Sequence, residues 1–262
     1  MIKTGIKSIS QTTQARAQIV PKEVALLQLP KDDIAQKARS RRVGQPGGAH
    51  RIEAIRREVA TRTVALSQHR YFDLCRHKQI GRAQIMGVIQ QLYCFSVFFE
   101  RLLTLRIARY TSQMDTRVLG IARKHLREEF GHADLFRRCL IENGMPVEQV
   151  ARIQPKMFTR ALYGYLTAII NHENEFVGNV AIMQAMESLG YQFFSATLPV
   201  LQHHKMMSAA MQAHSEDDEE HSKLGLEFAE QFDDDTLKMS LTTISDIYRL
   251  MGYVLDEWLA DR

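Results

Sequence analysis

The sequence predicts an all-α helical bundle, and three observations carry that reading. No window shows sustained apolar–polar alternation bounded by turn residues, so strands are not expected. Six Pro and fourteen Gly in 262 residues leave room for long helices. Apolar residues recur at helical spacing in one stretch after another.

The elements follow in order. Residues 1–47 are rich in Gln, Thr, Lys and Arg, with short apolar patches such as Val24 to Leu29. They hold nine Lys/Arg and three acids, a net of +6 that leaves −2 for the rest of a +4 chain. Gly44, Pro46, Gly47 and Gly48 mark a boundary. Residues 1–47 therefore read as a basic, weakly structured tail or strap, and 48–262 as a single helical-bundle domain. Within it, Ile52 to Leu66 is amphipathic, and Tyr71 to His77 is a short segment before Gly81. Gln84 to Arg109 is long and mostly apolar. Asp115 is placed to cap one helix running to Glu142, which Asn143-Gly144 stops. Pro146 suits the first turn of a short helix near Val147 to Ile153. Phe158 to Ile170 follows, then a polar break where Glu173 and Glu175 suit capping. Phe176 to Leu201 and Ala209 to Phe232 are the next helices. Asp234 or Asp235 caps the last, through Trp258.

The chemistry lies in a repeated pattern, His-x-x-x-acid-x-x-His. The first copy is His125, Glu129, His132 and the second His214, Asp218, His221, each position 89 residues after its counterpart. Chance supplies about 0.04 matches in a chain of this composition. Positions i, i+4 and i+7 share one helix face, so each copy presents imidazole, carboxylate and imidazole as a stripe. Facing stripes of that kind hold pairs of transition-metal ions in helical bundles. Further carboxylates are needed to bridge the ions and offset their charge. Glu187 is the leading candidate, an acid in an otherwise apolar helix where an unpaired charge is costly. Glu100, flanked by aromatics, is an additional or outer-shell candidate, with a buried salt bridge to an Arg as its alternative role. His125 fits either ligation or an outer-shell hydrogen bond. Glu128 points away by phase. His172, His203 and His204 have no carboxylate at ligand spacing and read as surface or loop residues. Imidazole and carboxylate without thiolate favour two irons, with manganese second. Open positions on such irons bind dioxygen as co-substrate.

Other classes are set aside by absence of their signals. The folded part is slightly acidic, which argues against nucleic acid. The longest apolar stretch, Val88 to Phe99, contains Gln90 and Gln91 and is too short to span a bilayer. Three dispersed Cys and no apolar leader imply a reducing, cytoplasmic setting. No nucleotide-binding Gly motif, serine elbow or zincin motif is present. Phe95, Phe98, Phe99, Phe193 and Phe194 read as core, some of them lining a pocket. Tyr93, Tyr163, Tyr165 and Tyr191 are candidates to face a substrate.

Around residues 123–144, the run from Arg123 through Glu128-Glu129-Phe130-Gly131-His132 to Asn143-Gly144 resembles the haem-oxygenase-like diiron oxidases, including CADD-like proteins. Glu129 and His132 match that family's first element, Glu187 its second, and His214, Asp218 and His221 its third. The resemblance spans roughly residues 50–255 and implies a haem-oxygenase-like bundle of about seven helices. It also implies a metal site of Glu129, His132, Glu187, His214, Asp218 and His221, binding two irons and no haem. The implied reactions are carbon–carbon cleavage, decarboxylation or N-oxygenation of amino-acid-like or fatty-acid-like substrates. An external electron donor is compatible with this chemistry, and a homodimer is expected. A second resemblance is to ferritin-like p-aminobenzoate N-oxygenases, in which Glu100 would also be a ligand on a four-helix bundle with extra helices. Two further readings remain beside these: an iron-handling bundle without organic substrate, and a metal-free, thiaminase-like relative.

Overall fold

The computed structural model describes residues 48–110, 116–174, 176–206 and 225–260. The expected tail, the Asp115 cap, the capping candidate Glu175 and the whole second motif (His214, Asp218, His221) lie outside them. Among the described residues there is no strand. Helices α1 (Gly48–Ser67), α2 (Arg70–Arg76) and α3 (Arg82–Tyr110) open the bundle, close to where periodicity puts them. Then come α4 (Thr116–Glu129), α5 (His132–Glu142), α6 (Val147–Val150) and α7 (Met157–His172). A π-helical turn, Val177–Ala181, runs into α8 (Ile182–His203). A 3-10 turn, Leu226–Gln231, precedes α9 (Asp234–Leu259).

The packing follows from the apolar faces. On α3, Ile85, Val88, Ile89 and Leu92 are buried at helical spacing. The face continues through Leu103, Arg106 and Tyr110. This helix packs against α4, α5 and α7, whereas α9 packs against α1, α7 and α8. The run Ile182 to Glu187 is buried on every side, which places the start of α8 at the centre of the core.

Four local outcomes differ from the sequence reading. The helix expected to run unbroken to Glu142 stops at Glu129 and restarts at His132. Gly131 sits between them at φ +100°, a left-handed conformation that favours glycine. At the polar break, the capping role falls to Asn174, whose Oδ1 accepts the N–H groups of Phe176 and Val177. Glu173 instead follows the C-terminus of α7. The last helix is capped one residue earlier than expected: Asp233 Oδ1 accepts from Thr236 N at 2.8 Å. Pro146 is the N-cap of α6 rather than a residue of its first turn. At two of these caps, Asn174 and Asp233, a neighbouring residue with strong capping propensity takes the role.

The π-helical turn coincides with a close approach of two elements. The Ile182 N–H reaches back to Val177 O, one residue further than in an α-helix. Tyr110, whose hydroxyl donates to Ile170 O at 2.8 Å, lies directly against Gly178. A Cβ at position 178 would collide with that hydroxyl, so only glycine lets α3 and the lead-in to α8 approach this closely.

Candidate metal centre

Helices α4 and α8 bring three ligand-type side chains into the buried interior. Oxygen and nitrogen atoms of His125, Glu129 and Glu187 all lie within 4.8 Å of one another. His125 Nε2 is 3.1 Å from Glu187 Oε1 and 3.7 Å from Glu129 Oε1. All three residues are buried, His125 completely. His132, the first residue of α5, places Nδ1 2.9 Å from Glu129 Oε2. The contact expected from the i, i+3 spacing thus survives the break between α4 and α5.

The break exposes backbone N–H groups that need partners. Glu100 on α3 supplies one: its Oε1 accepts from Gly131 N at 3.0 Å and Ala133 N at 3.3 Å. A carboxylate at the N-terminus of α5 is also favoured by the helix dipole. Glu100 therefore fastens the junction carrying Glu129 and His132. Of the roles expected for it, this is closest to the outer-shell one; the alternative, a salt bridge to an Arg, is not formed among the described residues.

One functional-looking residue is not evident from the motif. Arg106 on α3 is buried, and its guanidinium NH2 lies 3.4 Å from His125 Nδ1. Burial pulls its pKa down from 12.5 to about 10, while the nearby Glu187 charge opposes that fall. The available signal is its phase: Phe99, Leu103, Arg106 and Tyr110 recur on one face of α3, with a single cation among apolar residues.

The two carboxylates face an apolar pocket enclosing about 700 Å³ of atom-free space, its mouth included. Phe95, Phe99, Phe193 and Phe194 line it, joined by Met186 of α8 and Trp258 of α9. Ser96, Glu129 and Glu187 are the main polar groups in the described wall. Phe98 turns aside and stacks on Tyr163 at 4.4 Å. The tyrosines expected to face a substrate lie elsewhere: Tyr165 donates to Asp246, and Tyr191 is exposed. His172 and His203 are exposed as expected, and His204 pairs with Ile80 O. Glu128, expected to be exposed, is half-buried, with one carboxylate oxygen 3.5 Å from the exposed Lys124.

Nitrogen and oxygen donors at a buried, largely apolar cleft fit a divalent metal of the first transition row. No thiolate is near enough to join them among the described residues. Of the six ligands the resemblance implies, the structure brings Glu129, His132 and Glu187 into one neighbourhood. The other three lie outside the described residues.

Comparison with solved structures identifies the fold. A domain of unknown function with a heme oxygenase-like fold from Shewanella denitrificans matches with TM-score 0.67 and 17% identity, over 78% of this chain and 89% of that one. A TenA homologue from Pseudomonas syringae matches with TM-score 0.63 and 11% identity, over 79% and 91%. A CADD-like protein of unknown function from Nostoc punctiforme matches with TM-score 0.61 and 16% identity, over 78% and 96%. No family model and no curated protein matches the sequence. The chain thus has the heme oxygenase-like fold, and the ferritin-like alternative is set aside. No helix among the described residues is long and apolar enough to cross a membrane.

Proposed function

We propose that this protein is a non-haem diiron oxidase or oxygenase that uses dioxygen to oxidise a small organic substrate. One observation carries the reading: two buried carboxylates, each beside an imidazole, form the polar end of an otherwise apolar pocket. Glu129, His132 and Glu187 would hold the metal, joined by His214, Asp218 and His221 from the second motif. Iron bound there would supply dioxygen activation, with manganese as the second candidate. The protein's own contribution is to fix the carboxylates, exclude water and hold the substrate's body against aromatic walls.

The wall bears on the substrate class. No Lys, Arg, Asn or Gln is among the described lining residues. A second charged group far from the metals would face hydrocarbon unpaired, at a high cost. This favours a fatty-acid-like molecule with one polar head over a zwitterionic amino acid.

The pocket also weighs against the two alternatives. An iron-handling bundle has no need of an aromatic-lined cavity. A metal-free hydrolase needs a nucleophile with an adjacent base. Ser96 is the only hydroxyl side chain in the described wall, and no His or Lys lines the wall with it.

Anaerobic loading with ferrous iron, followed by metal analysis, tests the reading. About two irons per chain are expected, by the two-ion logic of carboxylate-rich helical sites. Oxygen consumption should then respond to apolar monocarboxylates more than to amino acids. Iron uptake no greater than background would reject the proposal.

A further inference from the structure

His125 has the spacing of a metal ligand and lies among carboxylates, yet its other ring nitrogen has an unusual neighbour. An imidazole that binds metal through one nitrogen carries its proton on the other, and that N–H is normally received by a carboxylate, carbonyl or water. His132 has this arrangement, with Nδ1 2.9 Å from Glu129 Oε2. A carboxylate only accepts, so Nδ1 of His132 donates and Nε2 is left for a metal.

His125 has the reverse. Its Nδ1 faces the guanidinium of Arg106 at 3.4 Å. An arginine has five N–H donors and no acceptor. Metal at Nε2 of His125 would put the ring proton on Nδ1, setting two donors against each other inside the core. With Nδ1 accepting from Arg106, the proton belongs on Nε2. That nitrogen lies 3.1 Å from Glu187 Oε1, without the alignment of a hydrogen bond, and 3.7 Å from Glu129 Oε1, beyond hydrogen-bond range.

Arg106 itself needs a reason to be there. It is 2% exposed, and its Nε has no hydrogen-bond partner among the described residues. A buried cation without a close ion pair is destabilising, and such violations of local rules concentrate at functional sites.

We propose that Arg106 fixes the ring proton of His125 on Nε2, turned toward the two carboxylates, so that His125 is a positioning residue beside Glu187 and the imidazole ligand on this side of the site is His132. The inference rests on the metal-binding reading for its consequence, although the proton position can be read in metal-free protein.

Nitrogen NMR of histidine-labelled, metal-free protein is the first test. The expected signals for His125 are an unprotonated Nδ1 and a protonated Nε2, assigned by their loss in His125→Gln. A protonated Nδ1 would overturn the proposal whether or not the protein binds metal. The second test loads the protein with an NMR-active cadmium isotope. Coupling should appear to His132 and not to His125; coupling to His125 would overturn the assignment. In cobalt-substituted protein, His125→Gln, which keeps a donor, should retain the wild-type metal stoichiometry and visible bands. His125→Leu should weaken metal binding about 10- to 100-fold, the range for loss of an outer-shell partner. His125→Gln losing a metal equivalent, as His132→Gln should, would also overturn it. Wild-type protein that takes up no metal would defeat the oxygenase reading and leave the proton test standing.

Discussion

The two carboxylates reach the centre by opposite routes. Glu187 is carried by a helix whose start is buried on all sides and which continues from a π-helical turn lying against Tyr110. Glu129 is the last residue of a helix that breaks at once into a left-handed glycine, beside the exposed Phe130. The first route depends on packing alone; the second ends in a helix break whose amides Glu100 receives, although Glu129 itself is buried beside His125 and His132. The contrast indicates that one half of the site is preformed by the core, while the other is held by hydrogen bonds near the surface.

The largest effect expected is from Glu187→Gln, which removes a charge from the packed half. Metal affinity should fall by more than about 100-fold, since even outer-shell partners are worth 10- to 100-fold. Equilibrium dialysis would measure it. Gly178→Ala attacks the same half through packing alone and should cost about 1–3 kcal/mol in urea unfolding, the usual range for overpacking.

Alkaline pH should also loosen the packed half. Tyr248 hydrogen-bonds Thr63 on α1 at 2.7 Å and meets Ser188 on α8, and burial raises its pKa to about 12. The phenol ionises near 10.0 when unfolded and later when folded. Its contribution is therefore complete below that pH and is lost as pH rises to about 12. A loss on the order of 2 kcal/mol is expected, at about 1.4 kcal/mol per pKa unit. Tyr248→Phe should flatten that part of the stability–pH curve.

The surface half should give smaller numbers. Glu100→Ala should cost about 1 kcal/mol, as for loss of a helix cap. Hydrogen exchange should accelerate at Gly131 and Ala133 and not on α8. Phe130→Ser, at a residue 74% exposed, should change stability by no more than about 0.5 kcal/mol.

The same contrast explains what is readable in the sequence. Helical periodicity discloses the bundle and most helix ends. The acid in an apolar helix discloses Glu187, because a charge in such a place requires a partner. The break at Phe130-Gly131 is concealed by periodicity that continues across it, with the glycine as the lone signal. Glu100 stands out but cannot be assigned, since its partners are backbone amides some thirty residues on (Gly131 and Ala133). Asp233 is hidden because it begins a run of three aspartates of equal capping propensity. Arg106 stands among many arginines, and only the helix face it shares with Leu103 and Tyr110 sets it apart.

The chain contains one tryptophan, and Trp258 forms part of the pocket wall, with its indole N–H donated to Thr159 Oγ1 at 3.0 Å. The molecule therefore carries its own optical gauge at the place where a ligand would sit. Its emission should start blue-shifted, as for a ring screened from solvent, and change when the cavity fills. A titration followed in the fluorimeter would rank candidate compounds without knowledge of the reaction or any chemical label.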